Sequence, residues 1–135
     1  MFLDSNIVIE MLNHDTTNAL PESILADAAA SGELLCNLIV VAEVAAGLEQ
    51  SAALFSTLAD LSIAVADLDL ATALRAAQAH RLYRRRGGPR ESILPDFLVA
   101  AHAATLGARL MTHDRRLSSY FPELTLLVPE THPNG

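Results

Sequence analysis

At 135 residues the chain has the size of one domain, with room for a single sizeable core. It is 51% apolar, which excludes a disordered chain, and its longest uncharged apolar run, about 34–42, is far short of the ~20 residues of a membrane span. A net charge of −7 speaks against a polyanionic partner, but the charge is unevenly spread. Lysine is absent and all nine arginines lie at Arg75 or later, so residues 1–74 carry −11 and residues 75–135 carry +4.

The chain alternates short apolar runs with helical stretches. Met1-Phe2-Leu3 reads as a buried strand ending at Asp4, followed by helical sequence over 5–12 and again over 18–31. Gly32 breaks the chain, and Leu34-Leu35-Cys36 reads as a second strand, with the lone Cys36 as a small core residue. Helices are expected over 39–50 and 51–60, and a third strand over 62–66. Asp69 can cap a helix reaching Tyr83, on which Arg75, Gln78, Arg81 and Arg85 form a polar stripe at three- and four-residue spacing. Gly87-Gly88-Pro89 must be loop. Pro95 suits the first turn of a helix over 95–106, and Gly107 suits its C-terminal cap. Leu110-Met111 makes a fourth strand, 114–120 a short helix and 124–128 a fifth strand.

Strands separated by helices predict an α/β protein: a central, mostly parallel five-stranded sheet with helices on both faces. Such sheets bind ligands at the carboxyl ends of their strands, where strand order reverses. Asp4 and Asp114 each fall just past such an end. The domain is expected to span 1–128, with 129–135 as a tail. No basic segment precedes a hydrophobic one, which reads as a cytoplasmic protein without a signal or transit peptide.

Four acids stand out, each with a plainer explanation. Asp4 and Asp114 can be helix caps, and Asp96, in the first turn after Pro95, gains from the helix dipole. Glu43 is harder to explain as surface. It is the only charge between Glu33 and Glu49, within the apolar Ile39-Val40-Val41-Ala42-Glu43-Val44-Ala45-Ala46. A carboxylate buried there must protonate, pair or bind a metal. His102 lies six positions after Asp96, on another face of the helix, and reads as structural, as does His80. His14 and His132 fall in loops or tails, and His113 stays open. Arg84, Arg85 and Arg86 are either a solvated helix end or a holder of phosphates. There is no Ser-His-Asp grouping, CxxC, HExxH, Walker loop or GxGxxG.

Taken in order, Asp4-Ser5-Asn6, Glu43 with Gly47 after it, Asp96-Phe97-Leu98-Val99-Ala100-Ala101-His102-Ala103 and Thr112-His113-Asp114 resemble the PIN-domain ribonucleases. Within that family the pattern is most similar to the VapC-type toxins of bacterial toxin–antitoxin pairs. The resemblance implies a three-layer α/β/α sandwich and endonucleolytic cleavage of RNA with Mg²⁺, for which Mn²⁺ can substitute. It also implies a homodimer, no membrane, and inhibition by a cognate antitoxin protein. Asp4, Glu43, Asp96 and Asp114 match the acidic quartet, with Asp4, Asp96 and Asp114 as metal ligands and Glu43 as ligand or base. Ser5, Asn6 and Thr112 match supporting polar positions, and Arg84, Arg85 and Arg86 are the expected RNA contacts. Two positions depart from the pattern: Asn37 stands where serine is frequent and His113 where arginine or asparagine is usual. Oxygen ligands agree with Mg²⁺ or Mn²⁺ rather than zinc. The alternatives are a catalytically silent protein-binding module on the same fold and an RNA-processing nuclease without an antitoxin. A phosphotransfer domain would want a lysine, and the chain has none.

Overall fold

The computed structural model describes residues 1–12, 30, 32–89 and 93–129. The expected helix over 18–31, together with His14, Arg90 and His132, lies largely or wholly outside the described residues.

Five strands form one sheet: β1 (Phe2–Leu3), β2 (Leu34–Asn37), β3 (Ile63–Ala66), β4 (Leu110–Met111) and β5 (Leu126–Leu127), in the order β3-β2-β1-β4-β5. All pairings are parallel, with Phe2 facing both Leu35 and Leu110 in register. The helices are α1 (Ser5–Leu12), α2 (Leu38–Ala46), α3 (Leu54–Asp60), α4 (Leu70–Arg85) and α5 (Leu94–Leu106), with a 3-10 turn, η1, over Arg115–Ser119. Parallel neighbours need crossovers, and crossovers are right-handed almost without exception. That sense places α1, α2 and α3 on one face of the sheet and α4 and α5 on the other. The sandwich is therefore three-layered, as expected.

Packing follows the same division. Against one face, Val8, Cys36, Val40, Val44, Leu54 and Leu58 close together with no room for water between them. Against the other, Phe2 meets the His102 ring at 5.2 Å between centroids, and Tyr83, Phe97, Tyr120 and Phe121 form a chain of ring contacts at 5.3–5.7 Å. The central strand β1 is buried on both sides, as its uninterrupted apolar sequence requires.

Element ends differ from expectation by a few residues, and caps explain where. Asn37 still belongs to β2 and its side chain accepts from the Val40 N–H, so α2 starts at Leu38; it stops at Ala46, short of Gln50, with Gly47 as its C-cap. Asp69 caps α4 through the Thr72 N–H, and α4 continues past Tyr83 to Arg85. On α4 the buried row is Thr72, Ala76, Ala79 and Tyr83, with His80 half-buried beside it. Gly107 ends α5 at φ +67°, the left-handed position glycine reaches without strain.

Strand order reverses at β1. The chain runs outward from β1 to β2 and β3, then returns to lay β4 on the other side of β1. The gap between the carboxyl ends of β1 and β4 is thus the expected ligand position.

Candidate metal centre

Asp4 is the residue after β1, and it is 2% exposed. Its backbone N–H donates to the Met111 carbonyl, which ties it to the end of β4. Its Oδ1 accepts from the Ser5 N–H at 2.8 Å and its Oδ2 from the Thr112 hydroxyl at 2.6 Å. A capping side chain takes the second or third helical N–H, whereas Asp4 takes the first.

Glu43 comes from the middle of α2 and Asp96 from the first turn of α5. One oxygen from each of Asp4, Glu43 and Asp96 lies within 4.8 Å of the others. Three carboxylates that close repel, and each is held above the usual carboxylate range. Burial raises Asp4 first, against the two hydrogen bonds that favour its charged form. Burial also leads at Glu43, followed by the charge of Asp4, with the Ser5 side chain opposing. Asp96 is pushed up to about 6, by burial and then by Asp4, Glu43 and Asp114. No side chain caps α5, so Asp96 is not spent on its own helix. Glu43 Oε1 is buried without a hydrogen-bond partner among the described residues. An orphaned buried oxygen beside two further carboxylates fits a hard divalent cation, which takes oxygen ligands and cancels the repulsion.

Asp114 stands apart from this trio. It caps η1 through the Arg116 N–H, and Arg116 grips both its oxygens with Nε at 3.0 Å and Nη2 at 2.9 Å. It is near enough to raise Asp4 and Asp96 but not among the three converging acids. Thr112, fully buried, joins the two positions: its hydroxyl donates to Asp4 and accepts the Asp114 N–H at 3.0 Å. Asn6 Oδ1 accepts the His113 N–H.

Other residues declare themselves only in three dimensions. Arg116, two positions beyond Asp114, matches a cap pairing that the sequence Asp-x-Arg permits. Glu10 bonds the His113 ring, and its second oxygen is buried without a partner among the described residues. Its only signal is the four-residue spacing from Asn6 on α1. His102 is structural, as its helical position implies. It is buried, its Nδ1 accepts from Asn37 Nδ2 at 3.1 Å, and burial keeps its pKa low. The Asn37 departure thereby acquires a role, as cap of α2 and partner of His102.

Residues 1–120 match the family model of the PIN domain, and the chain belongs to that family. Its fold is similar to a chain of VapBC2 from Rickettsia felis, at TM-score 0.71 and 18% identity over 96% of this chain and 98% of that one. It is also similar to VapBC-1 from nontypeable Haemophilus influenzae, at 0.71 and 20% over 94% and 96%. DNA-bound VapBC from Salmonella typhimurium follows at 0.69 and 23% over 94% and 96%. No curated protein matches the chain. Among the described residues no helix is long and apolar enough to cross a membrane.

Proposed function

We propose that the protein is a metal-dependent endoribonuclease, the toxin of a toxin–antitoxin pair. The observation that carries the reading is the trio Asp4, Glu43 and Asp96 at the reversal point of a PIN-domain sheet, with one of its buried oxygens unpartnered. Mg²⁺, or Mn²⁺ in its place, would be held by Asp4 and Asp96, with Glu43 as a further ligand or as the base that orients water, and with Asp114 on the outer side. Bound there, such an ion supplies an activated water and neutralises charge on the scissile phosphate. The chain's own groups do the rest. Thr112 and the Ser5 N–H fix Asp4 in one rotamer, the Ser5 hydroxyl steadies Glu43, and Asn6 holds the backbone of His113. Arg84, Arg85 and Arg86 supply cations for the RNA backbone.

The antitoxin partner is carried over from the VapBC assemblies that the fold resembles, and a homodimer is what the VapC-type resemblance implies. A short DNA-binding protein encoded immediately upstream is the expected companion. The test of the chemistry is Asp96→Asn, which removes charge and keeps shape. Cleavage of a labelled RNA in Mn²⁺ should fall more than about 100-fold while the fold is kept. Undiminished cleavage by the purified variant would remove Asp96 from the site.

A further inference from the structure

The arginines of the second half are not spread over a helix end. Arg75, Gln78, Arg81 and Arg85 of α4, with Arg86 after it, form one wall of an open cleft of roughly 460 Å³. Ser119, Tyr120 and Pro122, which follow directly from η1, form the other. Arg84 is not among the lining residues. Arg75 is tied down by Glu123, at 2.7 Å and 3.0 Å, and by the Tyr120 carbonyl. Arg86 lies over the Tyr120 ring at 5.4 Å. Arg81 and Arg85 are exposed, and among the described residues no carboxylate pairs with them or with Arg86.

We propose that this cleft is a binding site for the phosphate backbone of single-stranded RNA, holding the strand that passes through the carboxylate site. The inference rests on the nuclease reading for its choice of ligand. Three observations carry it. First, every cation is arginine, whose forked donors match phosphate oxygens, and Gln78, Ser119 and Tyr120 add neutral hydrogen-bonding groups. Second, η1 runs from Asp114 to the cleft wall. Its five residues span about 10 Å, a distance of two or three nucleotides. Third, a polyanion nearing Asp4, Glu43 and Asp96 is repelled there and needs a compensating positive surface close by. Since residues 1–74 hold no lysine or arginine, the second half must supply it. An acidic helix would want a row of large apolar anchors, and here Ala79, Leu82, Pro122 and the Tyr120 ring stand among four arginines, so the test includes an acidic peptide.

The experiment is fluorescence anisotropy of a labelled 12-nucleotide single-stranded RNA in chelator, across a salt series. It compares the parent with Arg81→Gln/Arg85→Gln/Arg86→Gln. Glutamine keeps much of each stem over the cleft, and a single-arginine series covers the case of a triple variant that melts early. The triple variant should bind at least tenfold more weakly at low salt, and its slope of log affinity against log salt should flatten by about 2. In Mn²⁺ its KM for the 12-mer should rise by a similar factor with kcat little changed. Equal affinity and slope in parent and variant would overturn the cleft, whether or not the parent cleaves. So would a 12-residue polyglutamate that binds the parent tighter than the RNA and loses that affinity in the variant, because the ligand would then be an acidic protein segment. If the parent binds RNA as described but cleaves nothing in Mn²⁺, the cleft stands and the nuclease reading falls.

Discussion

Thr112 is fully buried and its single hydroxyl serves two partners, donating to Asp4 Oδ2 and accepting the Asp114 N–H. Thr112→Val keeps the shape and removes both bonds. A buried carboxylate oxygen left without its donor costs about 1–3 kcal/mol, so the variant should melt several degrees lower. The lost bond favoured the charged form, so Asp4 should also become harder to ionise and Mn²⁺ should bind more weakly. Thr112→Ser should recover most of both losses, and thermal melts with and without Mn²⁺ separate the two effects. A serine variant as impaired as valine would mean that the methyl group, not the hydroxyl, matters. At this scale Glu43 stands out in the sequence because an apolar helix is the wrong place for a carboxylate, whereas Asp4 is marked only by its place just past a strand end and by the family pattern. The Arg116 grip on Asp114 was not. Nothing in Thr112-His113-Asp114-Arg115-Arg116 says whether Asp114 turns to the site or to its own helix, and the 3-10 turn decides it.

Gly88 shows what a connection between elements can require. A Cβ built there would sit 2.5 Å from the Tyr83 ring, which is buried among Phe97 and Tyr120 and donates its hydroxyl to the Pro89 carbonyl. Gly88→Ala should displace that ring and cost about 1–3 kcal/mol, read as a lower denaturant midpoint. The loss should shrink in Tyr83→Leu, which removes the clashing ring. Equal losses in both backgrounds would show that backbone conformation, not contact, makes glycine necessary. The sequence marks Gly87-Gly88-Pro89 as loop, yet this role depends on a ring five residues back and is invisible without the packing. Helix and strand positions were legible along most of the described chain from their apolar periods, with Asp69 and Gly107 marking two helix ends. Their ends were less so. Asn37 can end a strand or cap a helix, and here it does both, which starts α2 one residue early, while Gly47 ends it short of Gln50. The polar stripe on α4 was likewise visible, but not the segment 119–122 that makes a cleft of it.

Across the whole molecule the charges are divided: the first half is purely acidic and the second carries every arginine. Asp4 and Glu43 belong to the acidic half, and among the described residues the arginine that acts on Asp96 is Arg116, already paired with Asp114. The metal-free fold therefore keeps a repulsion that protons or a cation must relieve. All three converging carboxyls have folded pKa values above their unfolded ones, about 6 for Asp96 against an ordinary value near 4. A raised carboxyl favours the folded state while protonated, so this contribution is fully present below about pH 4 and is lost as pH rises through about 6. In chelator the protein should lose stability from this source as pH rises from about 4 through 6, and the raised Asp4 and Glu43 add losses of the same sign. Mn²⁺ should raise the melting temperature at pH 7 and have little effect at pH 4.5, where protons occupy the site. Asp96→Asn removes one charge of the trio and takes no cap from α5. It should melt higher than the parent at pH 7 in chelator, flatten the pH dependence and respond less to Mn²⁺. Asp4→Asn is a poorer choice, because an amide cannot accept from both Ser5 and Thr112 as the carboxylate does. Thermal melts of parent and Asp96→Asn at pH 4.5, 6 and 7, in chelator and in Mn²⁺, make the comparison. An Asn variant that melts lower in chelator at pH 7, or that gains as much from Mn²⁺ as the parent, would show that these acids do not form one cation site.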